Sequence, residues 1–445
     1  MSTLNRPMIM NQAMRSARTH EGAAVTPSKP MEEFRRAVLT TLLFENSFYE
    51  NGVTSAARIE QLAKNLPIKD VLALATEARK VHGLRGVPLW ILNACLDHPA
   101  RTQPANRKLL VEAIANICDR ADMPGELLAQ YWAKGKRPIA SVLKEGLAQS
   151  LTSFAEYNLA KYANKGSIRP RDVLFLTHAK PKNKEQAITF AALANDELKQ
   201  NDTWEDQLSA GGNKKEVFTD LMRRGKLGAV ALLRNLRNME QAGVDRGLVK
   251  ESLAKISGGS RILPFQFIAA ARAVPRWEDL LEEPMLASVN NLPKLKGKTV
   301  LLVDVSGSMN GLVSQRSTIS RLDAARALAI LCREVCDEVV VVAFNGQVRD
   351  IPARRGFGLA EAIPNANGST DINRAVTYAN SMNPDRVIIF TDEQSGTPVG
   401  QPKGRGYIMN VAGYRNGIGW GKWVTISGFS DQLIKFIHEV EHVLE

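Results

Sequence analysis

The sequence contains no hydrophobic stretch near the roughly 20 apolar residues that a membrane span requires, and its first residues lack the apolar core of a secretory signal. Cysteine is scarce: the four residues Cys95, Cys118, Cys332 and Cys336 match neither a disulfide framework nor a zinc site in their spacing. These absences argue against membrane-spanning and disulfide-rich secreted classes. They predict a cytoplasmic protein with no membrane partner.

The charge of the chain is unevenly distributed. Its 445 residues carry 58 Lys and Arg against 46 Asp and Glu, a net charge of +12. Residues 294–445 hold 17 basic and 15 acidic side chains, so residues 1–293 hold the remaining 41 and 31, an excess of +10. A basic region of this size indicates a polyanionic partner, and nucleic acid is the first candidate. A basic surface that only faces solvent is the alternative.

Most of the amino-terminal region has a helical pattern. Residues 1–30 show no sustained period and are predicted to be a flexible tail. Over 31–290, apolar side chains recur three and four residues apart, and proline or glycine separates the segments. The predicted helices cover 31–45, 55–66, 68–82, 88–97, 106–120, 138–162, 170–178, 184–199, 214–224, 228–241, 245–256 and 264–274. Short helices with short links predict a solenoid of stacked helix pairs, with a compact bundle as the alternative.

Strands and helices alternate in the carboxy-terminal region, 294–445. The predicted strands cover 299–303, 338–344, 386–390, 406–411 and 423–426, and the predicted helices cover 321–336, 371–382 and 430–443. This alternation is typical of a doubly wound, Rossmann-like parallel sheet. The sequence therefore predicts a separate α/β domain after the helical one.

A possible metal site follows the first of these strands. Asp304, Ser306 and Ser308 form a D-x-S-x-S pattern, in which alternate oxygen-bearing side chains can converge on one point. Thr370 and Asp392 lie where the same edge of a parallel sheet gathers its loops. We expect these five residues to bind a divalent cation, most simply Mg2+. The alternative is that the Asp and Ser side chains only cap a turn.

This set resembles the metal-ion-dependent adhesion site (MIDAS) of von Willebrand factor A domains. Two positions depart from the common pattern of that family. Gly368-Ser369-Thr370 stands where Gly-Gly-Thr is frequent, and Asp392-Glu393 stands where Asp-Gly is frequent. The resemblance implies that a metal held here could take its last ligand from an acidic residue of a protein partner.

Three segments of the helical region resemble the TROVE module of the Ro ribonucleoprotein autoantigen family. They are residues 169–181 (RPRDVLFLTHAKP), residues 203–205 (TWE) ahead of Gly211-Gly212, and residues 231–239 (ALLRNLRNM). The resemblance implies HEAT-like helical repeats closed into a ring with the A domain at the join. It also implies binding of Y-like small noncoding RNA on the basic outer surface, insertion of single-stranded 3′ ends of misfolded RNA into the hole, and cooperation with a 3′-to-5′ exoribonuclease in RNA quality control. We expect a monomer.

Candidate RNA-binding residues are basic side chains that could neutralise phosphates. They are Lys134, Lys136, Arg137, Lys161, Lys165, Arg169, Arg171, His178, Lys180, Arg234 and Arg237. His178 and Lys180 match a Leu-x-His-x-Lys-Pro pattern that the family places on its Y RNA surface. Structural alternatives remain open: His178 could cap a helix, and the arginines Arg234 and Arg237 could pair with Glu240.

Two other functions compete with RNA binding. A metal-dependent protein-binding scaffold would use the metal site alone and could coexist with an RNA site. A Mg2+-dependent nuclease would need a second close metal, a P-loop or a nucleophile triad, and the sequence shows none of these. We therefore do not expect an enzyme.

Overall fold

The computed structural model describes residues 29–40, 52–133, 135–199, 202–256, 262, 264–313, 317–412, 417–427, 434, 437 and 441. The chain divides into two compact units. One contains residues 42–44 and 52–210, and the other contains residues 1–41, 45–51 and 211–445. No helix within the described ranges is long and apolar enough to cross a membrane.

The unit that contains residues 52–210 is helical. Its helices are α2 (Gly52–Asn65), α3 (Ile68–Lys80), α4 (Gly86–Cys95), α5 (Pro104–Ile117), α6 (Met123–Trp132), α7 (Ser141–Leu151), α8 (Glu156–Tyr162), α9 (Pro170–Thr177), α10 (Lys184–Ala194) and α11 (Trp204–Ser209). Several helices pack against the helix two positions further along the chain: α2 packs on α4, α3 on α5, and α5 on α7. That is the contact pattern of stacked helix pairs, so HEAT-like repeats are confirmed.

The second unit begins with helix α1 (Pro30–Thr40), which contacts a strand of the carboxy-terminal sheet. Further helical-repeat elements follow residue 211. They are α12 (Lys214–Arg223), α13 (Ala229–Gln241), α14 (Arg246–Leu253), α15 (Pro264–Ala273), a 3-10 helix (Pro275–Leu280) and α16 (Glu282–Ser288). Side chains cap several of them: Asp245, for example, accepts a hydrogen bond from the backbone N–H of Leu248 at 2.8 Å.

The α/β part of this unit is a six-stranded sheet in the order β3-β2-β1-β4-β5-β6. Its elements are β1 (Leu295–Asp304), a 3-10 helix (Gly307–Asn310), α17 (Arg321–Val335), β2 (Cys336–Phe344), β3 (Val348–Ile351), α18 (Gly356–Ala362), α19 (Ile372–Ser381), β4 (Arg386–Thr391), β5 (Arg405–Asn410) and β6 (Trp423–Ser427). Valine, isoleucine and leucine fill the central strands, which are buried on both faces. The Rossmann-like α/β architecture is confirmed.

The sheet differs from the prediction at one edge. Strand β3 pairs antiparallel with β2 and was not predicted, because it is only four residues long and charged. The sheet is therefore mixed, although the other neighbouring strands pair in parallel. The predicted helix over 430–443 lies mostly outside the described residues.

Several helical segments also differ from the prediction. Helices α11, α16 and α18 and the 3-10 helix Pro275–Leu280 were not predicted. The single helix predicted over 138–162 is two helices, α7 and α8, separated where Gln186 Nε2 donates a hydrogen bond to the carbonyl of Thr152 at 2.8 Å. Helix α6 was not predicted because Pro124-Gly125 is typical of a break between helices. Proline is acceptable in the first turn of a helix, where its missing N–H has no partner to lose.

Candidate metal centre and nucleic-acid interface

The predicted metal ligands meet at the carboxyl edge of the sheet. Asp304 ends β1 and Asp392 follows β4, its neighbour in the sheet, and both side chains are fully buried. The backbone N–H of Gly307 donates to the carbonyl of Gly368 at 2.9 Å, which ties the Ser306–Ser308 loop to the loop that carries Thr370. The topology thus brings the three separate sequence motifs to one place.

Two hydrogen bonds hold the Asp304 carboxylate in place. Its Oδ1 accepts from the backbone N–H of Ser306 at 2.8 Å, and its Oδ2 accepts from the Thr391 hydroxyl at 2.6 Å. Burial, together with the nearby Asp392 carboxylate, raises the pKa of Asp304 to about 7 against the lowering effect of these hydrogen bonds. Two carboxylates that are buried so close together need a neighbouring cation to offset their charges.

Arg321 is the basic partner that the sequence analysis missed. Its guanidinium donates to Asp392 Oδ2 at 3.0 Å and to the carbonyl of Ser308 at 3.3 Å, and its side chain is only 2% exposed. Arg321 is the first residue of α17, where a cation opposes the helix dipole. An arginine at the first position of the predicted helix was the available signal, but it could not identify Asp392 as the partner.

The donor set fits a hard divalent cation. The hydroxyl oxygens of Ser306 and Ser308 lie 3.3 Å apart. Two neighbouring ligands on an octahedral Mg2+ with bonds of about 2.1 Å would be separated by about 3 Å. One or two carboxylates with two or three hydroxyls also match the oxygen ligands that Mg2+ prefers. The described residues contain no group of three His, Cys, Asp or Glu suited to another metal.

Glu393, beside the metal site, is buried in an unusual conformation. Its backbone φ is +59°, a left-handed value that glycine adopts more easily, and its side chain is fully buried. Arg36 of helix α1 forms a buried ion pair with it. Burial raises the pKa of the Glu393 carboxyl, and Arg36 opposes that effect. Glu393, which stands where glycine is frequent, thus provides a charged partner for Arg36 of α1 next to Asp392.

The candidate RNA-binding residues of the unit 52–210 are mostly exposed. Lys136, Arg137, Lys165 and Lys180 are exposed, whereas Lys161, Arg169 and Arg171 are half-buried; Lys134 lies outside the described residues. Some have acidic neighbours. The Arg137 guanidinium lies 3.3 Å from the Asp97 carboxylate, the Arg169 guanidinium lies 3.6 Å from the Asp172 carboxylate, and Arg171 forms an ion pair with Asp196. His178 is exposed and ends α9 in a left-handed conformation with φ of 53°, so it caps the helix and also faces solvent.

Aromatic rings accompany these cations. Among the described residues, five cations lie over aromatic rings, and all five pairs fall between Arg120 and Phe175. Arg137 lies 4.0 Å from the centre of the Tyr131 ring, and Arg171 lies 5.7 Å from that of Phe175. Phe175 is 53% exposed. Such mixed cationic and aromatic surface suits nucleic acid, because bases stack on rings while cations meet phosphates.

The second candidate group lies on α13. Arg234 and Arg237 are exposed, but the amides beside them are occupied within the helix. Asn235 is buried and donates to the carbonyl of Ala231 at 2.9 Å, and Asn238 donates to Asn235 Oδ1 at 3.1 Å. In the described part of the chain, Glu240 pairs with Arg276 at 3.7 Å. The two arginines thus remain candidates for phosphate contact, whereas Asn235 does not reach a base.

Comparison with known proteins gives two family matches. Residues 191–306 match the family model described as TROVE domain, and residues 298–403 match the one described as Ro60 vWA domain. The crystal structure of the Deinococcus radiodurans RO (RSR) protein has the same fold: it covers 92% of this chain and all of its own, with a TM-score of 0.64 and 17% sequence identity.

Among curated proteins, the mouse and rat proteins named Telomerase protein component 1 are each 34% identical over 104 residues, which is 22% of this chain. The chain spans about 4% of the length of these relatives. Fold and site together define a helical-repeat protein with a von Willebrand factor A domain. By its two family matches, the chain contains a region similar to the TROVE domain and a region similar to the Ro60 vWA domain.

Proposed function

We propose that the protein binds Y-like small noncoding RNA on the basic surface of α6–α10 and receives single-stranded 3′ ends of misfolded RNA in a ring formed by its repeats. A 3′-to-5′ exoribonuclease would then process the captured RNA. The observation that carries this proposal is the cluster of cations between Arg120 and Lys180, several of them exposed, which lie beside aromatic rings that include the exposed Phe175. Closure of the ring remains a prediction. The four cysteines are buried thiols, which is compatible with a cytoplasmic location.

The RNA can be identified by purifying the protein from its source cells and sequencing what accompanies it. A transcript of that RNA is then titrated against salt with the wild type and with the double variant Lys161→Ala/Lys165→Ala. If both lysines meet phosphates, the log–log salt slope falls by about 0.9 for each lysine–phosphate pair removed. The matched control is Lys250→Ala/Lys255→Ala, two exposed lysines of the other unit. Equal losses of affinity in both variants, or no accompanying RNA, would contradict the proposal.

A second candidate function is metal-dependent binding of a protein partner, favoured by the convergence of Asp304, Ser306 and Ser308. We propose that these residues, with Thr370 and Asp392, hold Mg2+, whose chemistry would be to accept an acidic side chain of the partner as a further ligand. The protein itself would catalyse no reaction. Mg2+-dependent RNA cleavage that disappears in Asp304→Ala would overturn that last statement.

The metal site can be tested by thermal unfolding in Mg2+ and in EDTA. A ligand at one hundred times its dissociation constant stabilises the folded state by about 2.7 kcal/mol. We expect Mg2+ to raise the unfolding temperature of the wild type and to have no such effect on Ser306→Ala. Ser381→Ala is the control, because Ser381 is exposed and bonds only within α19, to the carbonyl of Tyr378 at 2.6 Å. A Mg2+ effect that survives in Ser306→Ala would exclude this site.

A further inference from the structure

Asparagine precedes glycine in three loops at the edge of the sheet that carries the candidate metal residues. The three pairs are Asn310-Gly311 after β1, Asn345-Gly346 after β2, and Asn367-Gly368 ahead of α19. Asn367 lies three residues before Thr370, a candidate metal ligand. A glycine has no Cβ to obstruct its backbone nitrogen, so that nitrogen can attack the side-chain amide of a preceding asparagine. The three asparagines are therefore candidates for deamidation.

Deamidation requires no reactant except water. The glycine nitrogen attacks Cγ of the asparagine, an N–Cγ bond forms, the Cγ–Nδ2 bond breaks, and the glycine N–H proton leaves with Nδ2 as ammonia. One water then opens the cyclic imide. Cleavage of the new N–Cγ bond gives aspartate, whereas cleavage of the bond from that nitrogen to the backbone carbonyl carbon gives isoaspartate. Both products add a negative charge, and isoaspartate also adds one methylene to the backbone.

Hydrogen bonds protect the first pair. The backbone N–H of Gly311, which would supply the nucleophile, donates to the carbonyl of Ser308 at 3.1 Å. The Asn310 amide donates from Nδ2 to the carbonyl of Ala366 at 3.0 Å. Asn310 is exposed, but both of these bonds must open before the imide can form.

The second pair has an available nucleophile but an immobile target. Among the described residues, the backbone N–H of Gly346 has no hydrogen-bond acceptor. The half-buried Asn345 amide is held at both ends: Oδ1 accepts from the backbone N–H of Gln347 at 2.9 Å, and Nδ2 donates to the carbonyl and to Oδ1 of Asn367 at 3.1 and 3.0 Å. Rotation of this side chain toward Gly346 would break all three bonds.

The third pair is the least restrained. Asn367 and Gly368 are both exposed, and the Gly368 N–H donates to no residue that the structure describes. Asn367 Nδ2 donates to the carbonyl of Asn365 at 3.3 Å, longer than an ordinary N–H···O bond. The bond from Asn345 Nδ2 to Asn367 Oδ1 favours the reaction, because a donor at that oxygen stabilises the negative charge that develops there during attack.

We propose that Asn367 is a site of spontaneous deamidation in the folded protein. The modified bond lies between two contacts of this loop: the Asn367 N–H donates to the carbonyl of Val305 at 2.8 Å, and the Gly368 carbonyl accepts from the Gly307 N–H at 2.9 Å. The extra methylene of isoaspartate falls between these contacts, so the two cannot both keep their geometry. Isoaspartate thus loosens the Thr370 loop from the Ser306–Ser308 loop.

The rates of the three sites test this assignment. Folded and urea-denatured samples of the full chain are aged in mildly alkaline buffer, digested with trypsin and followed by mass spectrometry. The three asparagines fall in separate tryptic peptides, 299–316, 334–349 and 356–374. We expect Asn367 to react in the folded chain nearly as fast as in the denatured chain. Asn310 and Asn345 should react at least about tenfold more slowly than in the denatured chain, because their hydrogen bonds must open first.

Two variants and a second measurement support the rates. Asn367→Gln keeps an amide but needs a larger ring to cyclise, so it should abolish the modification of peptide 356–374. Asn365→Gln is the matched control, because the residue after it is Ala366, and it should leave the reaction at Asn367 unchanged. Hydrogen exchange of the Gly307 N–H should become faster in the isoaspartate fraction of the aged wild type and stay unchanged in aged Asn367→Gln.

The outcomes distinguish the modification from its effect on the loop. Slowing of Asn367 by folding as strongly as Asn310 would overturn the site. Reaction at Asn367 without faster exchange at Gly307 would overturn the loosening of the loop. The further expectation that isoaspartate reduces the stabilisation by Mg2+ rests on the metal site proposed above. If Mg2+ does not stabilise even the freshly purified protein, that metal site fails alone, since the mass and exchange measurements do not depend on Mg2+.

Discussion

At the scale of single residues, the pair Arg36–Glu393 is a strong constraint on the fold. Both side chains are nearly inaccessible, so removal of one charge leaves the other buried without its ion-pair partner. We expect Arg36→Met to lower the free energy of unfolding by about 3–5 kcal/mol, measured by urea denaturation. Arg35→Met, at the neighbouring half-exposed position, is the control and should cost far less.

A second substitution tests the contribution of Glu393. Glycine at this position would remove the buried charge and relieve the left-handed backbone. The double variant Arg36→Met/Glu393→Gly should therefore be more stable than Arg36→Met alone. A change of less than about 0.5 kcal/mol in Arg36→Met, the usual range for surface substitutions, would show that the pair contributes little.

The sequence placed the five candidate metal residues at one edge of the sheet, but it did not reveal the charged residues beside them. Asp304, Ser306, Ser308, Thr370 and Asp392 could be placed because each follows a recognisable strand or precedes a helix, and parallel strands share one edge. The partners Arg321 and Arg36 could not be found in this way. Their contacts, 71 and 357 residues distant in the chain, depend on packing that no local pattern encodes.

At the scale of elements, the first turn of α17 is held by a capping box and by an ion pair with α15. The backbone N–H of Asp323 donates to the Ser320 hydroxyl at 3.1 Å, and the Asp323 carboxylate accepts from the Ser320 backbone at 2.8 Å, as in a capping box. Arg272 of α15 forms a bidentate pair with the same carboxylate. Burial would raise the pKa of Asp323, but the hydrogen bonds from Arg272 and Ser320 outweigh it and hold that pKa below its usual value.

This pair predicts a pH-dependent stability. A carboxyl with a lowered folded-state pKa contributes fully above its unfolded pKa of 3.8, and the contribution is lost as pH falls through the lower folded value. Arg272→Met should cost about 1–1.5 kcal/mol at neutral pH, a modest value because the guanidinium is 45% exposed. The cost should shrink below pH 4 in chemical denaturation. Arg276→Met, an 86% exposed neighbour, is the control, and a pH-independent cost would contradict the assignment.

The elements themselves were predictable wherever hydrophobic period and breakers agreed. Residues 300–303 of β1 and 387–390 of β4 are uninterrupted apolar runs, so their buried positions follow from composition. Helix α6 and strand β3 were missed for local reasons: proline marks the start of a helix as well as its end, and a short charged edge strand has no apolar alternation.

At the scale of the whole molecule, the candidate metal residues and the cluster of cations and aromatic rings belong to different compact units. The candidate metal ligands lie between residues 304 and 392, whereas the cluster of cations and rings lies within residues 52–210. The five candidate metal residues all lie within residues 298–403, which match the Ro60 vWA domain, whereas the cluster of cations and rings between Arg120 and Phe175 contains none of them. A partner held by the metal and an RNA held by the helical repeats could thus be bound by one chain.

This separation predicts that removal of metal leaves binding of structured RNA unchanged. EDTA should lower the unfolding temperature, because Asp304 and Asp392 lose a counterion that Arg321 replaces only in part. The affinity for the RNA that accompanies the protein should stay within about twofold, since its phosphates are neutralised by lysine and arginine. Asp304→Asn, assayed without EDTA, controls for chelation of Mg2+ bound to the RNA itself. If both EDTA and Asp304→Asn weaken RNA binding tenfold or more in an otherwise folded protein, the metal site belongs to the RNA interface and the two functions are one.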